Sequence, residues 1–402
     1  MIQPKLQLQQ ELSKQIYNVL QGDMVEKLIR ESKISNADNY WRSIMEGHSF
    51  KVEEKLLKHL YSVFQGVKDT LGVNEPVDFY ITGDATVNAF SVAAEQKGEP
   101  HIVNVNSGLI DLMTEEELRF VLGHELGHII NQDTRLRRLI NLVYAPDDGM
   151  PIGLFHRVRL SEQLAELVAD RYGYLAVGHL GPCVSAFYKM ASGLDISKID
   201  VKLEALIEEN LRHLDYFLND KGVSRETHPV NPIRIQSLYL YSKAESKKKL
   251  DEQMQPLIDI LLRLGNSPID YHVSRFVATA GLIVASADGD IKQEEADTIL
   301  ANLAQTQMFP KAFLEEVSKG DVNKIFIDSV QHILREEPQM RDDLLYYLIE
   351  ITLADREISK AEVELIYNIG KNIFGYQKRD VARMMVAMVQ TKFVPNLRNF
   401  TY

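Results

Sequence analysis

Two histidines four residues apart with an acid between them, His124 and His128 around Glu125, are the residues here whose types and spacing suggest chemistry. Four residues advance an α-helix by about 400°, which sets both imidazoles on one face, one above the other, as a shared metal ion requires. Glu125 sits one residue round, within reach of a water on that ion. Two histidines around an acid at this spacing arise by chance in roughly 4 of 100 chains with these counts, so a hydrogen-bonded pair of core histidines is the competing reading.

The surrounding stretch, from Glu115 to Gln132, has the pattern of a buried helix. Thr114 and Glu117 form a capping box at its start. Leu118, Val121, Leu122, Ile129 and Ile130 spread apolar groups over most of its circumference. A helix that apolar is buried, and buried imidazoles are costly unless bonded or ligating.

In gluzincin-type sites the third ligand is a glutamate on a following helix, and Glu166-Leu167-Val168-Ala169-Asp170 meets that demand. Glu166 and Asp170 stand one turn apart on a segment, Glu162 to Ala176, with an apolar seam of Leu164, Leu167, Val168 and Tyr172. Glu166 is the expected third ligand, and Asp170 the acceptor that orients a ligand imidazole through its other nitrogen. Glu162, one turn earlier, competes for the ligand role.

These residues resemble the zinc metallopeptidases that include HtpX, the CAAX prenyl protease and the chaperone-protease BepA. The resemblance spans roughly Val77 to Leu240. Its pieces, in order, are Val87 to Phe90, Ile102 to Val105 running into Ser107-Gly108-Leu109, the His124 to His128 core, Glu166 to Asp170, and His228-Pro229 with Arg234. It implies a zinc endopeptidase with one Zn2+ per chain, held by His124, His128 and Glu166, with Glu125 as general base. It further implies that His228 donates a hydrogen bond to the oxyanion, a structural turn histidine being the alternative, and that Arg234 packs or pairs nearby. The strand Ile102-Val103-Asn104 with Asn88 is expected to border the cleft and pair with an extended peptide, an ordinary interior strand being the alternative. His101, His156 and His179 are read as surface or capping histidines.

The elements that must position these groups follow from the rest of the chain. Residues 1–75 read as helical cover of the catalytic domain, with Leu12, Ile16 and Leu20 and then Val25, Leu28 and Ile29 at helical spacing. Val77 to Tyr80 and Ile102 to Val105 read as two strands of a small sheet. Residues 145–151, rich in turn formers, read as a loop joining the two ligand-bearing helices. The catalytic core is expected over residues 76–245, and the charged stretch 242–255 as a boundary. An all-helical domain over residues 256–402 carries a repeat, Ala287 to Ile291 matched by Ala354 to Ile358, that resembles a TerB-like module. Its acids, Asp288, Asp290, Glu295, Asp355, Glu357 and Glu362, read either as helix caps or as a divalent-metal site. The fold class expected is α+β, mostly α: a zincin-type domain followed by a TerB-like all-α domain.

Composition frames the function. With 45% hydrophobic and 25% charged residues the chain is an ordinary globular one. A net charge of −12 argues against nucleic acid or an anionic membrane as partner. The longest apolar run, Phe276 to Ala287, is too short to span a bilayer, unlike the membrane-embedded HtpX. Met1 to Glu11 show no secretory pattern, and Cys183 stands alone, so a reducing, cytoplasmic setting is expected. The expected partners are a protein or peptide substrate and a protein bound by the C-terminal domain. The rival reading is a non-catalytic zinc-containing scaffold acting through that domain.

Overall fold

A computed structural model of the chain describes residues 2–32, 37–94, 98–144, 150, 152–196, 202–219, 228–263, 269–287, 317, 319–353 and 359–393. It divides into two compact units. The first holds residues up to Leu261 except 150–157 and 223–225, and the second holds those segments and the rest.

The first unit is mostly helical around a four-stranded sheet. Its elements are α1 (Gln7–Val19), α2 (Gly22–Ser32), α3 (Ala37–His48), β1 (Ser49–Lys51), α4 (Lys58–Leu71), β2 (Val77–Thr82), β3 (Ala89–Val92), β4 (His101–Asn106), α5 (Ser107–Leu112) and α6 (Glu115–Ile130). There follow α7 (Asp133–Val143), α8 (Ile152–Val177, in this unit from Val158), α9 (Leu180–Ser192), α10 (Leu203–Asn219), α11 (Asn231–Lys243) and α12 (Lys247–Arg263, in this unit to Leu261).

The sheet order is β1-β2-β4-β3, with β2 and β4 parallel and the other pairs antiparallel. Alternation along β4 splits its side chains between two layers. Val103 and Val105 join Phe64, Phe79 and Leu122 in the main core, beneath α4 and α6. Ile102 packs with Met45 and Tyr80 on the other face, under α3. Both faces of β4 are therefore covered, as its nearly continuous apolar run would suggest.

Two expectations are corrected here. Ile102, Val103 and Asn104 do not border a cleft: β4 is hydrogen-bonded on both sides, and all three residues are buried. Asn104 serves the sheet instead, its Oδ1 accepting from Thr82 Oγ1 at 2.8 Å and its Nδ2 donating to Asn106 Oδ1 at 3.3 Å. Residues 1–75 are no separate cover either, because β1 enters the sheet and Val63, Phe64 and Val67 of α4 belong to the main core.

Residues 145–149 and 151 lie outside the described ones, and α7 intervenes between the two helices that the loop was expected to join. The charged stretch 242–255 is helical from Lys247 onward. Leu250, Met254, Leu257 and Leu261 recur at helical spacing and are all buried, so a polar sequence hides an apolar stripe. The break between units falls after Leu261 rather than in that stretch.

The second unit contains α13 (Asp270–Ala285), α14 (Val322–Glu336), α15 (Arg341–Thr352), α16 (Lys360–Asn372) and α17 (Lys378–Phe393). Phe276, Phe326, Leu344, Leu348 and Ile366 form its core. Of the acids expected to cap or bind metal there, Asp288, Asp290, Glu295, Asp355 and Glu357 lie outside the described residues. Glu362 completes a capping box with Ser359 at the start of α16. Among the described residues no helix is long and apolar enough to cross a membrane.

Candidate metal centre

The capping box at the head of α6 forms as the sequence predicts: Glu117 N–H donates to Thr114 Oγ1 at 3.4 Å, and Thr114 N–H donates to Glu117 Oε2 at 2.7 Å. Lys189, itself buried, pairs with Glu117 at 2.9 Å, anchoring this end of α6 to α9. The other flank of α6 lies against α8 at backbone range. A Cβ on Gly123 would stand 2.7 Å from Ala176 Cβ and 3.0 Å from Gly173 Cα, and one on Gly127 would stand 2.8 Å from Tyr172 Cβ. Glycine at both positions is what lets Glu166 of α8 come level with the two histidines of α6.

His124, His128 and Glu166 each direct one donor atom to a common point, with all such atoms within 4.8 Å of one another. The two imidazole Nε2 atoms are 3.1 Å apart. Each also stands 3.5 Å from an oxygen of Glu166. The opposite ring nitrogens are engaged by carboxylates, which only accept hydrogen bonds at neutral pH. His124 Nδ1–H donates to Asp170 Oδ1 at 2.9 Å, and His128 Nδ1–H donates to Asp133 Oδ2 at 3.2 Å. Both Nε2 atoms therefore present lone pairs to each other and to a carboxylate.

That convergence demands a positive charge. Burial works against ionising His124, but the carboxylates of Asp170, which accepts from its Nδ1–H, and of Glu166 beside it outweigh that and raise its pKa to about 10. Burial likewise penalises the Glu166 carboxylate, yet the charges of His128, His124 and Arg234 hold it well below the usual carboxylate range. Glu166 Oε2 is nevertheless buried without any hydrogen-bond partner. Two imidazole nitrogens, each fixed from behind by an acid, and an orphaned carboxylate oxygen fit a divalent cation of the zinc type.

Asp170 gains a second partner in Arg234 of α11, whose Nε and Nη2 donate to its two oxygens at 2.9 and 2.6 Å. Burial raises the Asp170 pKa, but the Arg234 charge and its hydrogen bonds outweigh that and keep the group ionised. Arg234 stacks over Phe187 at 4.8 Å, so its guanidinium plane is fixed as well.

Around this centre runs a cleft lined by Asn88 and by Ala89, Phe90 and Ser91 of β3, by Glu125 and His228, and by Ile16, Ile140, Val158 and Ala165. Glu125, which lines it, is buried. His228 is half-exposed, with Nε2 3.5 Å from Glu166 Oε1. Burial, reinforced by the charges of Arg234 and His124 and opposed by Glu166, lowers its pKa below the ordinary imidazole value.

Thus His124, Glu125, His128, Glu166, Asp170, His228, Arg234 and Asn88 lie together around this centre, while Ile102, Val103 and Asn104 are elsewhere. The edge strand at the cleft is β3. Glu162 also lines the cleft, but its carboxylate is occupied by Arg137 Nε at 3.2 Å.

Of the other histidines, His101 accepts from Ala94 N–H through Nδ1 at 3.0 Å and meets Glu75 at 3.0 Å, and His179 meets Glu116 at the surface. Sequence reasoning missed Asp133. Its signal was the acid five residues past His128, and reading it required knowing that Gln132 adopts a left-handed conformation, φ 63°, which turns the chain back so that Asp133 reaches His128.

Residues 55–145 match peptidase family M48, and residues 274–386 match the tellurite resistance protein TerB. The first match falls within the first compact unit and the second within the second. The chain is similar to a protease HtpX homolog of Streptococcus thermophilus, 34% identical over 235 residues that make up 58% of this chain and 66% of the relative. It is also similar to the chloroplastic plastoglobule-localized metallopeptidase 48 of Arabidopsis thaliana, 27% identical over 218 residues, 51% of this chain and 62% of the relative. A protease HtpX homolog of Dictyoglomus turgidum is 30% identical over 105 residues, 25% of this chain and 34% of the relative. The chain spans less than two thirds of the length of each. The M48 match takes in the histidines of α6 but ends before Glu166 and Asp170.

Proposed function

We propose that this protein is a zinc-dependent endopeptidase that hydrolyses peptide bonds in protein substrates, with His124, His128 and Glu166 as the ligands. The observation that carries the reading is the buried Glu166 Oε2 without a hydrogen-bond partner, facing two imidazole nitrogens whose far sides are held by acids. Zinc supplies Lewis acidity and a water made acidic enough to attack at neutral pH.

The chain's own residues do the rest. Glu125, in the cleft beside the two histidines, takes the proton of the attacking water and delivers it to the leaving amine. Asp170 and Asp133 keep the Nδ1 protons of the histidines in place, so both Nε2 lone pairs face the metal. His228, held neutral by its surroundings, donates an N–H to the oxygen on which charge develops. The edge of β3 receives an extended substrate by strand addition, which selects backbone more than side chain and suits unfolded segments, as in protein quality control.

The test is the substitution Glu125→Gln, assayed on one preparation for metal content and for cleavage of casein. The expected outcome is one zinc per chain in both proteins, with hydrolysis lost in the variant, since glutamine keeps the shape but accepts no proton. Full activity in the variant would remove Glu125 from the mechanism. A wild-type chain with zinc but no hydrolysis of any unfolded protein would favour the scaffold reading.

A further inference from the structure

From the contacts of α1 we infer that Gln9 is a positioning residue of the metal centre, acting on His128 through Asp133. The inference rests on the zinc site proposed above. Gln9 is 2% exposed, unusual for a glutamine, and its side-chain amide points at the centre rather than at solvent. Its Nε2 donates to Asp133 Oδ1 at 3.0 Å and to Ser13 Oγ at 3.0 Å. The amide orientation is forced, because the opposite flip would set a carbonyl oxygen against a carboxylate.

Asp133 is thereby fully allotted. Oδ1 accepts from Gln9 and, at 2.8 Å, from Asn131 Nδ2, which leaves Oδ2 for the His128 Nδ1 proton at 3.2 Å. The nearby cations do not compete for it, since Arg135 pairs with Glu26 and Arg137 with Glu162. Two neutral donors on one oxygen fix the plane of the carboxylate without neutralising it. That plane sets the azimuth of the His128 ring, and hence the direction of its Nε2 lone pair.

Gln9 lies 46 residues before the start of the M48 match at residue 55 and belongs to a helix whose Ile16 also walls the cleft. Two further attachments hold that helix to the metal-bearing framework: Ser13 Oγ lies 3.1 Å from Ser161 Oγ, and Tyr17 Oη donates to Glu26 Oε2 at 3.1 Å, the acid that grips Arg135. The N-terminal helix is thus part of the proposed metal centre.

The experiment compares wild type, Gln9→Met, Asp133→Ala and the double variant in the full chain. Methionine keeps the volume and helix propensity of glutamine but removes the donor. Zinc affinity is read by competition with a chelator, geometry by the visible spectrum of the cobalt-substituted protein, and folding by the melting temperature. Direct partners of ligand histidines change metal affinity by about 10–100-fold, so Gln9→Met, one bond further out, is expected to cost about 3–10-fold. It should also shift the cobalt spectrum, lower kcat more than it changes KM, and lose its effect once Asp133 is alanine. Equal zinc affinity and an identical cobalt spectrum in Gln9→Met and wild type overturn the inference while leaving the zinc site standing. So does an effect of equal size in the Asp133→Ala background, which marks general packing. A wild-type chain that binds no zinc overturns the site and this inference together.

Discussion

Glu162 and Glu166 lie one turn apart on α8, and only the second faces the two imidazoles. Arg137 holds the first at the rim of the cleft. Glu166→Ala is therefore expected to weaken zinc binding by more than about 100-fold, beyond the range seen when only an outer partner is lost, whereas Glu162→Ala should stay within about threefold of wild type. Chelator titration of both variants checks this. Should Glu162→Ala prove the weaker binder, the ligand register on α8 is off by one turn. Two pairs of the candidate site were legible in the sequence because each is a one-turn repeat within a single helix, His124 with His128 and Glu166 with Asp170, and helical spacing alone places such residues together. Asp133 and Gln9 were not, since one depends on the left-handed turn at Gln132 and the other on the tertiary docking of α1.

At the scale of elements, the sheet shows where sequence pattern stops carrying information. The runs Val77 to Tyr80 and Ile102 to Val105 announced two strands, but their order did not, because β2 and β4 pair in parallel while the shorter β3 between them in sequence is carried past β4 to the edge. Strand addition needs a free edge, and of the two edge strands, β1 and β3, it is β3 that lines the cleft. Asn88 C=O accepts from Asn106 N–H at 3.0 Å, and bonding alternates along an antiparallel pair, so Ala89 and Ser91 turn their N–H and C=O groups away from β4, toward the cleft side of the sheet. Ser91→Pro deletes one of these outward donors without touching a bond to β4. One backbone hydrogen bond is worth about 1 kcal/mol, so kcat/KM on an unfolded protein substrate should fall about fivefold with zinc content unchanged. An unchanged kcat/KM would show that substrates do not add to β3 through Ser91.

Across the whole molecule, the sequence separated the region of the proposed metal centre from a helical C-terminal one, since every residue of that centre precedes the charged stretch and the later repeat follows it. It misplaced the seam. A run such as Lys247 to Gln255 looks like linker by composition, whereas Leu250, Met254, Leu257 and Leu261 give it a buried stripe that only helical spacing reveals. The position of the seam decides which fragment is viable. Cutting at residue 250 ends α12 within its first turn and removes Met254 and Leu257, both nearly inaccessible in the chain, while cutting after Arg263 keeps every contact assigned to the first unit up to Leu261. Losing two buried apolar side chains of this size costs about 2–5 kcal/mol each, comparable to the whole stability of an ordinary domain. Residues 1–263 are accordingly expected to purify soluble, zinc-loaded and cooperatively folded, and residues 1–250 to aggregate or to melt without cooperativity. Gel filtration, metal analysis and thermal melts of the two fragments side by side decide the matter. If the shorter fragment behaves as well as the longer, α12 contributes nothing to the first unit. A longer fragment that folds and holds zinc but cleaves nothing would make the second unit part of the proposed peptidase.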